Sequence, residues 1–111
     1  MELVNLTPHD VNYIRDDGTT VTFPSQGVAR AAQTTVLDHV TDDGYRITRT
    51  SFGEPVDLPE PVEGTYLIVS LATAKAAIQY GRGASDLLMP NETVRDSAGR
   101  IIGCRSFAVV E

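Results

Sequence analysis

At 111 residues, with 41% hydrophobic and 22% charged side chains, the chain has the size and composition of one globular domain, large enough to bury a core without metal or disulfide staples. A net charge of −6 and a sequence pI of 4.7 argue against a phosphate-backbone partner, which needs a basic face, so nucleic acid is not expected to bind. One cysteine excludes an internal disulfide and fits a reducing cytoplasm. No apolar run is long enough to span a membrane, and the opening Met1-Glu2-Leu3-Val4-Asn5 lacks the features of an export signal, so the expected location is cytoplasmic.

Turns dominate the local signals. Thr7-Pro8 predicts a rigid turn after a first strand. Asp16-Asp17-Gly18 then separates Asn12–Arg15 from Thr19–Phe23, and Asp42-Asp43-Gly44 separates Thr34–Val40 from Tyr45–Phe52. Ser97-Ala98-Gly99 separates Glu92–Arg95 from Arg100–Val110. Each is a polar turn ending in glycine, which accepts the positive φ of a tight hairpin, between runs rich in β-branched residues. Three prolines between Glu54 and Gly64 predict an extended loop strapped over the sheet in place of regular pairing. The apolar run Thr65–Ser70 reads as a central strand. Ser70 then caps a helix over about 71–80, with Leu71, Ala74 and Ile78 at helical spacing and Gly81 as a stop. Asp86–Pro90 reads as a short strand or a turn of 3₁₀ helix. The expected fold is mainly β (α+β): one antiparallel sheet or small barrel carrying one short helix. An open sheet of this size leaves edges, so a homo-oligomer, a dimer in the first instance, is expected.

Eight of the nine cationic side chains are arginine, and four of them, Arg82, Arg95, Arg100 and Arg105, fall in the last thirty residues. Guanidinium is a planar fork suited to bidentate contact with phosphate or carboxylate, although the bias itself also follows from a GC-rich coding sequence. In the final strand a period of two puts Ile101, Gly103, Arg105, Phe107 and Val109 on one face and mainly apolar residues on the other. Arg105 is therefore expected in a protected environment, where it needs a buried carboxylate or a ligand anion. Gly103 leaves room for another backbone or a ligand to approach.

Arg95 projects beside the same strand, Arg82 is four residues before Asp86 and suited to an exposed ion pair with it, and Arg30 follows small residues. Tyr66 or Tyr80 is placed to pack on a ligand ring, and His9 either joins a site or bonds the nearby backbone. Cys104 reads as a small buried hydrophobe more readily than as a nucleophile, because its sequence neighbour Arg105 points to the opposite face. The spacing of His9 and His39 forms no metal-binding pattern, and no nucleophile elbow or phosphate loop is present, so no metal, cofactor or catalytic residue is assigned.

Three segments together, Asn5-Leu6-Thr7-Pro8-His9, Tyr66-Leu67-Ile68-Val69-Ser70 and Arg95-Asp96…Gly99…Gly103-Cys104-Arg105, resemble a group of small proteins encoded by phages, prophages and the bacterial genomes that carry them. The resemblance implies an accessory protein acting in a host cytoplasm and carries no functional residues with it. Two functions follow. The first is a non-enzymatic binder holding an anionic, nucleotide-like ligand through Arg105 with Arg95, Arg82 or Arg30, so as to sequester a host immune signal. The second is a protein–protein module that inhibits a host enzyme or builds a phage assembly through a sheet edge. A small hydrolase is a third.

Overall fold

The computed structural model describes residues 1–110. Its strands are β1 (Glu2–Asn5), β2 (Val11–Ile14), β3 (Thr20–Phe23), β4 (Arg30–Val40), β5 (Arg46–Val56) and β6 (Thr65–Ile68); the helix α1 (Leu71–Gln79) follows, then β7 (Leu87–Arg95) and β8 (Ile101–Ala108). Mainly β structure with one short helix is the fold class expected from the sequence. Six strands curl into a nearly closed, barrel-like sheet of order β1-β6-β7-β8-β2-β3, and β4 and β5 form a separate two-stranded ribbon.

All three glycine-ended turns connect antiparallel hairpins, β2–β3, β4–β5 and β7–β8. The joins between them differ from a simple meander. β1 runs parallel to β6, β6 parallel to β7, and β8 parallel to β2. A parallel neighbour requires a crossover connection, and α1 supplies one between β6 and β7. The helix begins where the sequence places it: the Ser70 hydroxyl accepts the Thr73 amide at 3.2 Å. Its buried side, however, is Thr73, Ala74, Ala76 and Ala77, while Leu71 and Ile78 remain exposed. Small side chains let the helix lie close against the base of the ribbon, and the larger apolar residues point outward.

Residues of alternating direction on each strand feed two clusters. Leu67 and Val69 of the β6 region join Leu6, Ala29, Leu87 and the helix alanines Ala74 and Ala77 on one side of the sheet. Ile68 joins Val11 and Cys104 on the other, with Tyr13, Phe23 and Phe107 packed around them. At Gly103 β2 comes close: a Cβ there would stand 3.0 Å from the Asn12 carbonyl oxygen and 2.8 Å from Ile14 Cδ1. The approach of another backbone expected at this glycine is that of β2.

The proline-rich segment is partly regular. Pro55 belongs to β5 and pairs with Ala31, a position open to proline because each strand of the ribbon has a free outer edge. Residues 57–64 form the loop, anchored where the Pro59 carbonyl accepts Arg82 Nη2 at 2.7 Å.

Candidate functional site

Two features stand out, and neither was legible as a site in the sequence. The first is the β4–β5 ribbon. Its strands have 11 residues each and are hydrogen-bonded only to one another among the described residues. From Gln33 to Val40 and from Arg46 to Phe52 every residue is exposed. The cross-strand register puts Gln33, Thr35, Leu37, Thr48, Thr50 and Phe52 on one face; Thr34, Val36, Ile47, Arg49 and Ser51 lie on the other. Asp38 pairs with Arg49 and accepts or shares a proton with His39 Nδ1 at 2.6 Å, beside a register shift between Leu37 and His39.

The ribbon is an arm. The radius of gyration is 17.0 Å and the longest dimension 57 Å, whereas a compact chain of this length has a radius of about 13 Å. At the arm's base Phe52 and Ser51 face Leu71, Lys75, Ala76 and Gln79 of α1 across a groove of about 700 Å³.

The second feature is a hollow of about 490 Å³ at one end of the curled sheet, walled by Leu3 of β1, Tyr13 of β2, Val21 and Phe23 of β3, Leu88 of β7, and Ser106 and Phe107 of β8. Five of the six strands contribute, so the hollow is the mouth of the barrel. Phe107 stacks with Tyr13 at 5.2 Å and meets Phe23 edge-on at 6.0 Å. Arg15, in the turn after β2, stands at its rim.

The residues selected from the sequence do not converge. Tyr80 and Arg82 share a hollow of about 280 Å³, but its wall also carries Glu54 and Glu60. Arg82 is already engaged: Nη1 and Nη2 donate to Asp86 at 2.9 and 2.8 Å, and Nε and Nη2 donate to the Pro59 carbonyl. Only about a tenth of either partner's side chain is exposed (10% and 11%), which corrects the expectation of an exposed pair.

Arg105 also differs from expectation. It is exposed, and among the described residues no carboxylate lies within salt-bridge distance of it. Its strand is central, but a central strand in a curled sheet still has an outer face. Arg95 closes its own hairpin by donating to the Gly99 carbonyl at 2.7 Å. Arg30 opens the arm, and Tyr66 pairs with Leu3 in the sheet.

At His9 it is the backbone that is engaged: its carbonyl accepts Asn5 Nδ2 at 2.8 Å and Thr7 Oγ1 at 3.0 Å. Cys104 is buried, and burial pushes its thiol up, away from the thiolate a nucleophile needs. Among the described residues no group of three or more His, Cys, Asp or Glu side chains is arranged to hold a metal, and no helix is long and apolar enough to cross a membrane.

None of the arginines singled out in the sequence, Arg30, Arg82, Arg95 and Arg105, lines the barrel mouth; Arg15 does. The signal was present: Val11 and Tyr13 share the inner face of β2, and Arg15 continues the same spacing of two into the turn. Comparison of the chain with protein families, curated proteins and solved structures gave no match, so its function has to be argued from these two features.

Proposed function

We propose that the protein is a non-catalytic interaction module that assembles with further copies of itself through the β4–β5 arm. The observation that supports this is the arm: two 11-residue strands exposing Val36, Leu37, Val40, Ile47 and Phe52, with Tyr45 exposed in the turn that joins them and no strand neighbour outside the pair among the described residues. An isolated two-stranded hairpin is marginal in water, and free edges of this length invite pairing. A second copy is the occupant that the dimensions favour. Strands of 11 residues are about 36 Å long and a pair is about 10 Å wide, so one face presents roughly 400 Å² before side-chain relief is counted. One face is thus about half of the ~800 Å² per partner of a standard interface, and the groove between Phe52 and Leu71 extends it.

Charge permits the same pairing. The shaft of the arm mixes Arg30, Arg46 and Arg49 with Asp38 and Glu54, whereas the chain as a whole carries −6. Two copies meeting arm to arm bring together nearly neutral surfaces and keep their acidic bodies apart. The resemblance of the opening, middle and closing segments to phage-borne proteins fits an accessory or assembly role.

Light scattering from micromolar to millimolar protein tests the proposal. The expected mass is a multiple of 12.0 kDa. Val36→Glu with Ile47→Glu charges one face of the arm, Leu37→Glu with Phe52→Glu the other, and one of the two pairs is expected to return the mass to the monomer with an unchanged far-ultraviolet spectrum. A wild-type monomer across the whole range would overturn the reading.

A binder of a small anion is the second reading, favoured by the barrel mouth with Arg15 at its rim.

A further inference from the structure

We infer that the barrel mouth is a binding site for a flat aromatic monocarboxylate, with the ring against Tyr13 and Phe107 and the carboxylate on Arg15. The inference stands on residues distinct from the arm and does not depend on how the chain assembles.

Shape comes first. The hollow of about 490 Å³ falls within the range of small-molecule pockets. The Tyr13 and Phe107 rings lie 5.2 Å apart and 29° from parallel, with Phe23 edge-on to Phe107. Leu88 supplies apolar wall. A planar ring extends such an aromatic arrangement by offset stacking or edge contact, and both are favourable beyond simple burial.

The second observation is a polar atom without a partner. Ser106 Oγ is buried and makes no hydrogen bond, the sole buried side-chain nitrogen or oxygen so placed among the described residues. Leaving a buried hydroxyl unpaired is unfavourable, and native structures rarely do so without a reason. Ser106 stands in the wall of this hollow and both donates and accepts. The Oγ is closed off from solvent, so turning the side chain to another staggered rotamer is what would bring it to a hydroxyl or ring nitrogen on the ligand.

Charge sets the class of anion. Arg15 is exposed and takes part in none of the ion pairs among the described residues. One guanidinium matches one carboxylate through two parallel hydrogen bonds. Asp16 and Asp17 follow it directly, and Asp17 is bound into its own turn, accepting the Thr19 amide at 2.9 Å and hydroxyl at 2.6 Å. Two carboxylates beside a single arginine disfavour a phosphate dianion far more than a monoanion. The site is thus suited to an aromatic acid and unsuited to a nucleotide.

A fluorescent probe tests this directly, because the chain contains no tryptophan to interfere. 6-Hydroxy-2-naphthoate is titrated into the full chain beside 2-naphthol, AMP and inorganic phosphate. Saturable one-to-one binding of the hydroxynaphthoate is expected, with 2-naphthol weaker and the two phosphates silent. Arg15→Gln should weaken the hydroxynaphthoate about tenfold or more and leave 2-naphthol unchanged, since hydrogen bonds to charged groups carry that much. Ser106→Ala should weaken both naphthalenes while raising the melting temperature of the free protein, because it removes the unpaired hydroxyl. Absence of saturable hydroxynaphthoate binding, equal affinity in Arg15→Gln, or tighter binding of AMP would each overturn the inference.

Discussion

The side-chain amide of Asn5 donates to the carbonyl of Phe23 at 2.8 Å, and in doing so joins β1 to β3, the two edge strands of the curled sheet. The same amide donates to His9, while Asn5 Oδ1 accepts the amide and the hydroxyl of Thr7 at 3.0 and 2.7 Å. The Asn5 backbone carbonyl takes the Gln26 amide at 2.9 Å, beside the bridge to Ser25. One fully buried asparagine therefore folds the Asn5-Leu6-Thr7-Pro8-His9 turn and holds the seam of the barrel. The opening segment is architecture.

Asn5→Ala removes one hydrogen bond each from the carbonyls of Phe23 and His9 and from the Thr7 amide, of which the His9 carbonyl keeps the Thr7 hydroxyl. We expect a loss of about 2–4 kcal/mol, read from the midpoint of urea unfolding. Asn5→Asp keeps the acceptor for Thr7 but removes both donated bonds, and should also destabilise. Wild-type stability in Asn5→Ala would show that the seam does not hold the barrel.

Two arginines should respond in opposite ways. Arg82→Ala strands the buried Asp86 carboxylate and is expected to cost about 3–5 kcal/mol, with Arg82→Lys only partly restoring it because the bidentate fork is lost. Arg105→Ala, on an exposed strand position without a carboxylate partner, should change stability by no more than about 0.5 kcal/mol. Melting curves on the two variants check both, and a large loss in Arg105→Ala would contradict the exposed placement.

Gly103→Ala forces a Cβ against the Asn12 carbonyl and the Ile14 side chain. Ile14 can shift, but the backbone of β2 cannot do so without breaking the β2–β8 join. A destabilisation of about 1–3 kcal/mol is expected from denaturant titration, the usual effect of overpacking. A neutral result would mean that β2 and β8 are less closely apposed.

Burial raises the pKa of the Cys104 thiol, so on going alkaline the unfolded chain releases this proton before the folded one does. Its contribution to stability is complete below the unfolded thiol's range and is lost as pH rises through the folded value. Between about pH 7 and about pH 10 the wild type should lose more stability than Cys104→Ala, the difference isolating this group from the tyrosines and lysine. Equal slopes in the two proteins would contradict it. Labelling of the native thiol by an aromatic disulfide should be slow and limited by opening of the structure.

The sequence by itself determined what is settled within a few residues. Asp17-Gly18, Asp43-Gly44 and Ala98-Gly99 end hairpins because φ values near +80 to +90° at Gly18, Gly44 and Gly99 suit glycine, and Ser70 starts the helix because its hydroxyl reaches an amide three residues on. Strand content followed from β-branched composition in the same local way. Tertiary structure alone decided which strands lie side by side, and with that the parallel joins, the exposure of Arg105, the burial of Arg82 with Asp86 and the meeting of Tyr13, Phe107 and Arg15 at the barrel mouth. A period of two shows which residues share a face but not what covers that face. The arm shows the limit most directly: Thr34–Val40 and Tyr45–Phe52 read as ordinary half-buried strands, and their exposure arises because α1 meets only the base of the ribbon, leaving the rest of it uncovered.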